Sequence, residues 1–333
     1  MHWRLQMADL AIRWRFKRHC ERPIDVAWVR TRIGRPRWMR RVVTPGIDVV
    51  DVDLGGVSAE VLVPPVHAAS AHVAPAHVAP GRVLLYVHGG GFIACSPFTH
   101  RPLAARLARE WEAIAVVPDY RLAPEHPFPA GRDDVLAVWR RLLDAGVVDP
   151  AHTVWAGDSA GGGLALTAAL ACADLGLPRP AALVTFSPWT DLACSGASLE
   201  ENAARCAMFA PAQLREVARL YAGARDPSDP AVSPLHADLS TLPPLCVHAS
   251  TAELLRDDAT RLAMRAAAAG VPVSLRTWED VPHVWQFLAG LLPEARESLD
   301  EAAAFVARHV PVRADRALRR WLDALGETRM PHA

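Results

Sequence analysis

The chain predicts an α/β fold in which a mostly parallel central sheet is covered by helices on both faces. Three observations carry this prediction. From Gly81 onward, apolar strand-like runs at 82–87, 113–118, 152–156, 181–186, 244–249 and 273–278 alternate with helical patterns near 99–110, 131–145, 160–175, 256–270 and 293–309. Alternation of this kind marks a parallel sheet whose crossovers are helices. Two glycine motifs each follow a strand: His88-Gly89-Gly90-Gly91-Phe92 after Val83–Val87, and Gly157-Asp158-Ser159-Ala160-Gly161 after Thr153–Ala156. Both fall at carboxyl ends of strands, where open α/β sheets bind ligands.

Residues 1–45 form an N-terminal arm. Trp3, Met7, Leu10 and Trp14 recur at helical spacing as one apolar stripe. A second short helix is expected from Pro23, a first-turn proline, to Gly34, a terminator. From Met1 to Arg41 twelve basic residues stand against Asp9, Glu21 and Asp25, about +9 in a chain of zero formal net charge. The favoured reading is a cap whose stripe covers the mouth of the active site; the second is a basic helix lying on an anionic membrane. Ile47–Leu54 and Val57–Val63 read as strands joined by a Gly55-Gly56 hairpin signal, bringing the sheet to about eight strands. Residues 66–80 repeat Ala-His-Val-Ala-Pro and read as a loop with little to bury; their histidines lack carboxylate or cysteine company, so no metal is expected. Residues 46–192 and 231–312 then form a catalytic domain. Residues 193–230, with one good helix at Pro211–Ala222, form a second cap segment. Residues 313–333 carry Leu318, Trp321, Leu322 and Leu325 as a C-terminal helical extension.

A serine hydroxyl is a poor nucleophile at neutral pH unless it is exposed beside a base. A glycine-flanked turn from strand to helix exposes it, which makes Ser159 the candidate nucleophile. Alone, the pentapeptide reads equally well as an ordinary glycine turn. The backbone N–H groups of Gly89, Gly90, Gly91 and Ala160 are candidate donors to an oxyanion. Among fourteen histidines, His283 is best placed as the base, in a turn after the strand-like run 273–278. Glu253 and Asp257 compete for the supporting acid. Glu253 is preferred because it follows the strand-like Leu245–Ala249 more closely, while Asp257 and Asp258 suit a helix first turn. His88 and Asp158 read as braces of the loop and the elbow. Phe92, Trp189, Phe209 and Trp285 are candidate pocket residues, each equally explicable as core.

With these residues in place, the chain resembles the hormone-sensitive-lipase family of α/β-hydrolase esterases. Asp119-Tyr120-Arg121-Leu122-Ala123-Pro124-Glu125 through Ala130 resembles that family's D-Y-R-L-A-P-E-x-x-x-P-A signature. Ser187-Pro188-Trp189-Thr190-Asp191-Leu192 resembles its S-P-W-x-D-L segment, and Ser233-Pro234-Leu235 with Leu242-Pro243-Pro244-Leu245 its S-P-L…L-P-P-x run. The similarity covers about residues 45–310. It implies an α/β-hydrolase fold with a helical cap, and a serine esterase for short- to medium-chain acyl esters using Ser159, His283 and an acid. Neither metal nor organic cofactor is implied, and Gly90 and Gly91 are the favoured oxyanion glycines. One departure stands out: the family's acid is commonly the Asp opening D-P-L-x-D-E, and here Glu253 opens the corresponding run to Asp258. Two rivals stay open: an amidase or deacetylase of a secondary metabolite or xenobiotic, and a ligand-binding receptor such as the plant gibberellin receptors, which lack the catalytic histidine.

Composition narrows the partners. The chain is 51% hydrophobic yet has no apolar run long enough to span a bilayer. Met1–Leu10 lacks the features of a secretory signal, and six cysteines show no C-x-x-C spacing, so a cytoplasmic protein with free thiols is expected. Lys17 is the only lysine, and the arginine and alanine bias is that of a GC-rich genome. The expected partner is a small-molecule ester rather than nucleic acid. A homodimer is left open.

Overall fold

The computed structural model describes residues 3–20, 23–34, 44, 46–64 and 81–312. The insert at 66–80 and the C-terminal extension at 313–333 lie outside the described residues. Eight strands form one sheet: β1 (Asp48–Asp53), β2 (Ser58–Val63), β3 (Arg82–Val87), β4 (Ala113–Pro118), β5 (Thr153–Asp158), β6 (Ala182–Phe186), β7 (Leu245–Ser250) and β8 (Val273–Trp278). Their spatial order is β1-β2-β4-β3-β5-β6-β7-β8. The hairpin strands pair antiparallel, β1 with β2 and β2 with β4, and every pairing from β4 to β8 is parallel. The hairpin closes tightly because Gly55 and Gly56 adopt φ of 74° and 85° and the Gly56 N–H donates to the Asp53 side chain at 2.8 Å.

The later strands are joined through helices that cover both faces. One core packs residues such as Val135, Trp139, Leu164, Ala168 and Leu262 of α4 (Ala130–Asp144), α5 (Ser159–Asp174) and α8 (Arg256–Ala268) against the sheet. The other packs Leu103, Leu107, Leu299 and Phe305 of α3 (Pro97–Glu110) and α9 (Pro293–His309) on the opposite face. β5 is buried along its whole length between β3 and β6, so the serine at its end is mounted on the stiffest part of the sheet. Between β6 and β7 the chain makes a short α6 (Ser198–Glu201) and α7 (Pro211–Ala222).

The arm folds as α1 (Trp3–Arg15), α2 (Val26–Val29) and a wide turn at Arg30–Gly34. It corrects the expectation about its own stripe. Trp3, Met7, Leu10 and Trp14 point away from the fold, 65%, 58%, 62% and 63% exposed. The opposite face is the seated one: Leu5 and Ala8 are buried, and Ile12 and Phe16 line the cavity described below. The helix carries two opposed apolar stripes, and its seating is fixed by cations. Arg13 donates to the carbonyls of Ala204 and Arg205, and the Lys17 ammonium donates to those of Ala203, Cys206 and Phe209 at 2.5, 3.0 and 2.8 Å. Arg30 likewise ties the arm to the Ile93 and Ala123 carbonyls, at 2.7 and 2.8 Å, and to Glu125.

Candidate active site

Ser159 opens α5 directly after β5, with a left-handed φ of 51°. That conformation is strained for a residue with a Cβ and turns the side chain out of the elbow. The flanking glycines answer to crowding: a Cβ on Gly157 would sit 2.6 Å from the Gly161 backbone, and one on Gly161 would meet the carbonyls of Val87 and His88. The elbow is pressed against the end of β3, and only bare backbone fits.

His283 and Glu253 are both buried, with Nδ1 2.6 Å from Oε2. The other carboxylate oxygen, Oε1, accepts the Ser250 N–H at 2.7 Å, and the Glu253 carbonyl accepts the Asn202 side-chain amide at 2.9 Å. The acid is therefore oriented from both sides. Asp257 lies elsewhere: its carboxylate accepts the Ser198 N–H at 2.9 Å and pairs with Arg256 at 2.9 Å, stapling the second cap segment to α8. Burial works to raise its pKa, and these bonds outweigh it and hold the carboxyl below its ordinary value. His283 Nε2 is buried without a hydrogen-bond partner among the described residues, so the link to the Ser159 hydroxyl is open in this arrangement. Such links are commonly long before substrate binds.

The triglycine loop is held from behind. The Gly89 N–H donates to Asp158 Oδ1 at 3.0 Å, and a Cβ on Gly89 would lie 3.0 Å from Asp158 Cγ. Gly89 thus drops out of the candidate oxyanion donors, because its amide is committed to the elbow. Gly90 and Gly91, at φ of 118° and 63°, line the cavity with Ser159 and His283. Asp158 also accepts the Tyr86 hydroxyl at 2.7 Å and meets His100 Nε2 at 3.3 Å. Burial pushes its pKa up, but His100, Tyr86 and Gly89 together hold the carboxyl below its ordinary value. His88 stacks on Tyr120 at 4.2 Å, its Nδ1 lies 2.8 Å from the Gly89 carbonyl, and burial together with nearby His100 pushes its pKa down to about 3. It is a neutral brace of the loop.

Two serines that sequence reasoning passed over hold the histidine turn. Ser187 Oγ accepts the Val284 N–H at 3.3 Å, and Ser250 Oγ donates to the Val281 carbonyl at 2.5 Å. Ser187 and Val284 both sit at φ of 50°, which is costly above all for a β-branched valine. Ser187 opens the S-P-W segment, whose Trp189 N–H donates to the Ser159 carbonyl at 3.0 Å. The motif itself was the available signal. Asp258, whose pKa burial pushes up to about 8, accepts the N–H groups of Thr190 and Asp191 at 2.7 and 2.8 Å and fastens the other end of the segment.

Above these groups lies a cavity of about 390 Å³. Of the four candidate aromatics, Trp189 and Phe209 line it, and Phe209 meets the His283 ring edge-on at 5.1 Å. Phe92 and Trp285 do not line it. Phe92 is buried in a stack on Tyr221 at 3.7 Å, and Trp285 is buried against Trp278 with its indole N–H donating to the Glu294 carbonyl. Both are core. The roof comes from residues the sequence did not single out: Ile12, Phe16, Trp28 and Ile33 of the arm, and Met208, Leu214 and Val217 of the second cap segment. Among the described residues no helix is long and apolar enough to cross a membrane.

Residues 84–287 match the family model described as alpha/beta hydrolase fold. An acetyl-hydrolase of Streptomyces hygroscopicus is 44% identical over 226 residues, covering 68% of this chain and 75% of that protein. The crystal structure of an esterase from the bacterial hormone-sensitive lipase family superposes with a TM-score of 0.81 at 35% identity, covering 93% of this chain and 99% of that one. The structure of the esterase EstE5 soaked with p-nitrophenyl butyrate gives a TM-score of 0.81 at 32% identity, with coverage of 93% and 99%. Taken with the elbow, the triglycine loop and the cap, these matches establish that the chain belongs to the alpha/beta hydrolase fold family and, within it, to the hormone-sensitive-lipase esterases.

Proposed function

We propose that the chain is a serine carboxylesterase acting on short- to medium-chain acyl esters through an acyl-enzyme. The observation that carries the proposal is the buried 2.6 Å bond from Glu253 to His283, a histidine that lines the same cavity as Ser159, Gly90 and Gly91. Ser159 Oγ attacks the ester carbonyl carbon while His283 Nε2 takes the hydroxyl proton. The N–H groups of Gly90, Gly91 and Ala160 receive the oxyanion, each such donor being worth about 2.7–4 kcal/mol of barrier. The ester C–O bond then breaks, and the imidazolium returns its proton to the departing alcohol. Water attacks the acyl-serine with its proton passing to Nε2, and the acid leaves as the serine is reprotonated. Glu253 fixes the tautomer that places the imidazole lone pair at Nε2 and stabilises the imidazolium.

The cavity volume of about 390 Å³ and its apolar roof favour a modest acyl or alcohol group. The butyrate ester soaked into EstE5 crystals and the acetyl-hydrolase name of the Streptomyces relative point the same way. The latter also supports a second reading, removal of an acetyl group from a larger metabolite. An alkyl fluorophosphonate should label Ser159 with one equivalent, and Ser159→Ala should lose both labelling and hydrolysis of p-nitrophenyl esters. Labelling at another residue, or none in folded protein, overturns the mechanism. An ester panel from acetyl to palmitoyl, with acetylated bulky alcohols beside it, separates the two readings.

A further inference from the structure

We propose that the outer face of α1 docks on an anionic membrane surface and holds the cavity roof against it. Trp3, Met7, Leu10 and Trp14 occupy one narrow strip of the helix surface, roughly a sixth of its circumference, and all four face solvent. Contiguous apolar patches of this kind on a protein surface mark interaction sites. Arg4 lies over the Trp3 ring at 5.4 Å and Arg18 over the Trp14 ring at 4.4 Å, and neither meets a carboxylate among the described residues. Tryptophan paired with arginine at the edge of an apolar strip is the chemistry of a headgroup boundary.

Charge selects the occupant. Among the described residues of the arm, Arg4, Arg13, Arg15, Lys17, Arg18, Arg30 and Arg32 stand against Asp9 and Asp25, and Arg4 and Arg18 flank the exposed strip, so the arm is a basic end of the molecule. An anionic bilayer attracts that end. A second copy docking through the same face would bring two such segments together and is disfavoured by their repulsion. The C-terminal chain leaves the described fold at the far end of the sheet: Arg82, at the start of β3, donates to the Val310 carbonyl at 2.6 Å, and His152, just before β5, meets the Pro311 carbonyl at 2.8 Å. Because Ile12 and Phe16 on the inner face line the cavity, docking sets the cavity roof at the lipid boundary.

Flotation of the full chain with vesicles tests this directly. Binding to phosphatidylglycerol-rich vesicles should exceed binding to pure phosphatidylcholine by about tenfold or more, and should fall with salt. Trp3→Ser/Trp14→Ser should lower binding to the anionic vesicles by about tenfold while leaving kcat/KM on a water-soluble short ester within about twofold. Arg4→Glu/Arg18→Glu keeps the strip and should abolish the preference for anionic lipid. The proposal is overturned if the wild type floats with neither vesicle, or if both double variants bind like wild type. It is equally overturned if the wild type is a dimer that the tryptophan variant converts to monomer without any vesicle binding, which would give the face to a second copy.

Discussion

The floor of the cavity is polar and hydrogen-bonded and is assembled from the ends of five strands, whereas its roof is apolar and is hung from two cap segments by cations bonded to backbone carbonyls. On the floor each group is held by directed bonds: Glu253 meets His283 and the Ser250 N–H, Asp158 meets Tyr86 and the Gly89 N–H, and Ser187 meets the Val284 N–H. Left-handed backbone at Ser159, Ser187 and Val284 is concentrated there. On the roof, Ile12, Phe16, Phe209 and Val217 present interchangeable apolar surface. Directional bonds make the floor sensitive to single atoms. Non-directional packing makes the roof tolerant of exchange and sensitive only to volume.

The sharpest break in this contrast is Glu253→Gln. It keeps the shape and favours the wrong imidazole tautomer, so kcat should fall by about 10⁴ as for amide replacement of a triad acid elsewhere, with the fold intact by circular dichroism. If Asp257→Asn abolishes turnover and Glu253→Gln does not, the acid lies four residues later than assigned.

Acid should act next, through two buried histidines, His88 in the glycine loop and His248 on β7. His88 and His248 are buried, chiefly for that reason held at pKa values of about 3, and a histidine in the unfolded chain titrates near 6.5. Between those values the unfolded state binds more protons than the folded one, so stability falls as pH drops through this window. Each histidine contributes at most about 1.4 kcal/mol per pH unit. Asp258, pushed up to about 8 by burial, works the other way and gains stability as pH falls. Melting temperature should therefore decline from pH 6.5 toward 3 more gently than two histidines alone would give, and a rise through that window would show that the two rings are not held neutral.

A roof substitution should redistribute activity rather than remove it. Phe209→Ala enlarges the cavity beside His283 and should raise the kcat/KM ratio of octanoyl to acetyl ester by about tenfold, the scale of one or two methylenes in an apolar pocket. Loss of activity on all chain lengths alike would mean that Phe209 belongs to the floor. The smallest effect is expected at Asp257→Asn, which weakens the staple to Ser198 and Arg256. It should cost about 0.3–1 kcal/mol of stability, read as a drop of a few degrees in melting temperature, with kcat nearly unchanged.

The floor was readable because its parts are short contiguous motifs with stereochemical demands. Gly157 and Gly161 must be glycine where the elbow presses on β3, and alternating apolar runs announce each strand that carries a reacting group. The preference for Glu253 over Asp257 also came from position after a strand. Less legible were Ser187 and Ser250, whose roles depend on a turn nearly a hundred and some thirty residues away, respectively. From the residues alone Gly89 could not be separated from Gly90 and Gly91, and only the family resemblance favoured the latter two, because which amide faces the Asp158 carboxylate is a matter of loop path.

By itself the sequence determined the strand order along the chain, the elbow, the glycine loop and the histidine turn, since these rest on local backbone geometry and on periodicity. Tertiary structure alone decided which of two apolar stripes on α1 turns inward and which aromatics line the cavity. Phe92 and Trp285 read like pocket residues and are core, while Ile12 and Phe16 drew no notice and form the roof. The physical reason is that burial is non-directional. Any apolar face can be buried, and the choice passes to distant partners, here the carbonyls that Arg13 and Lys17 find on the second cap segment.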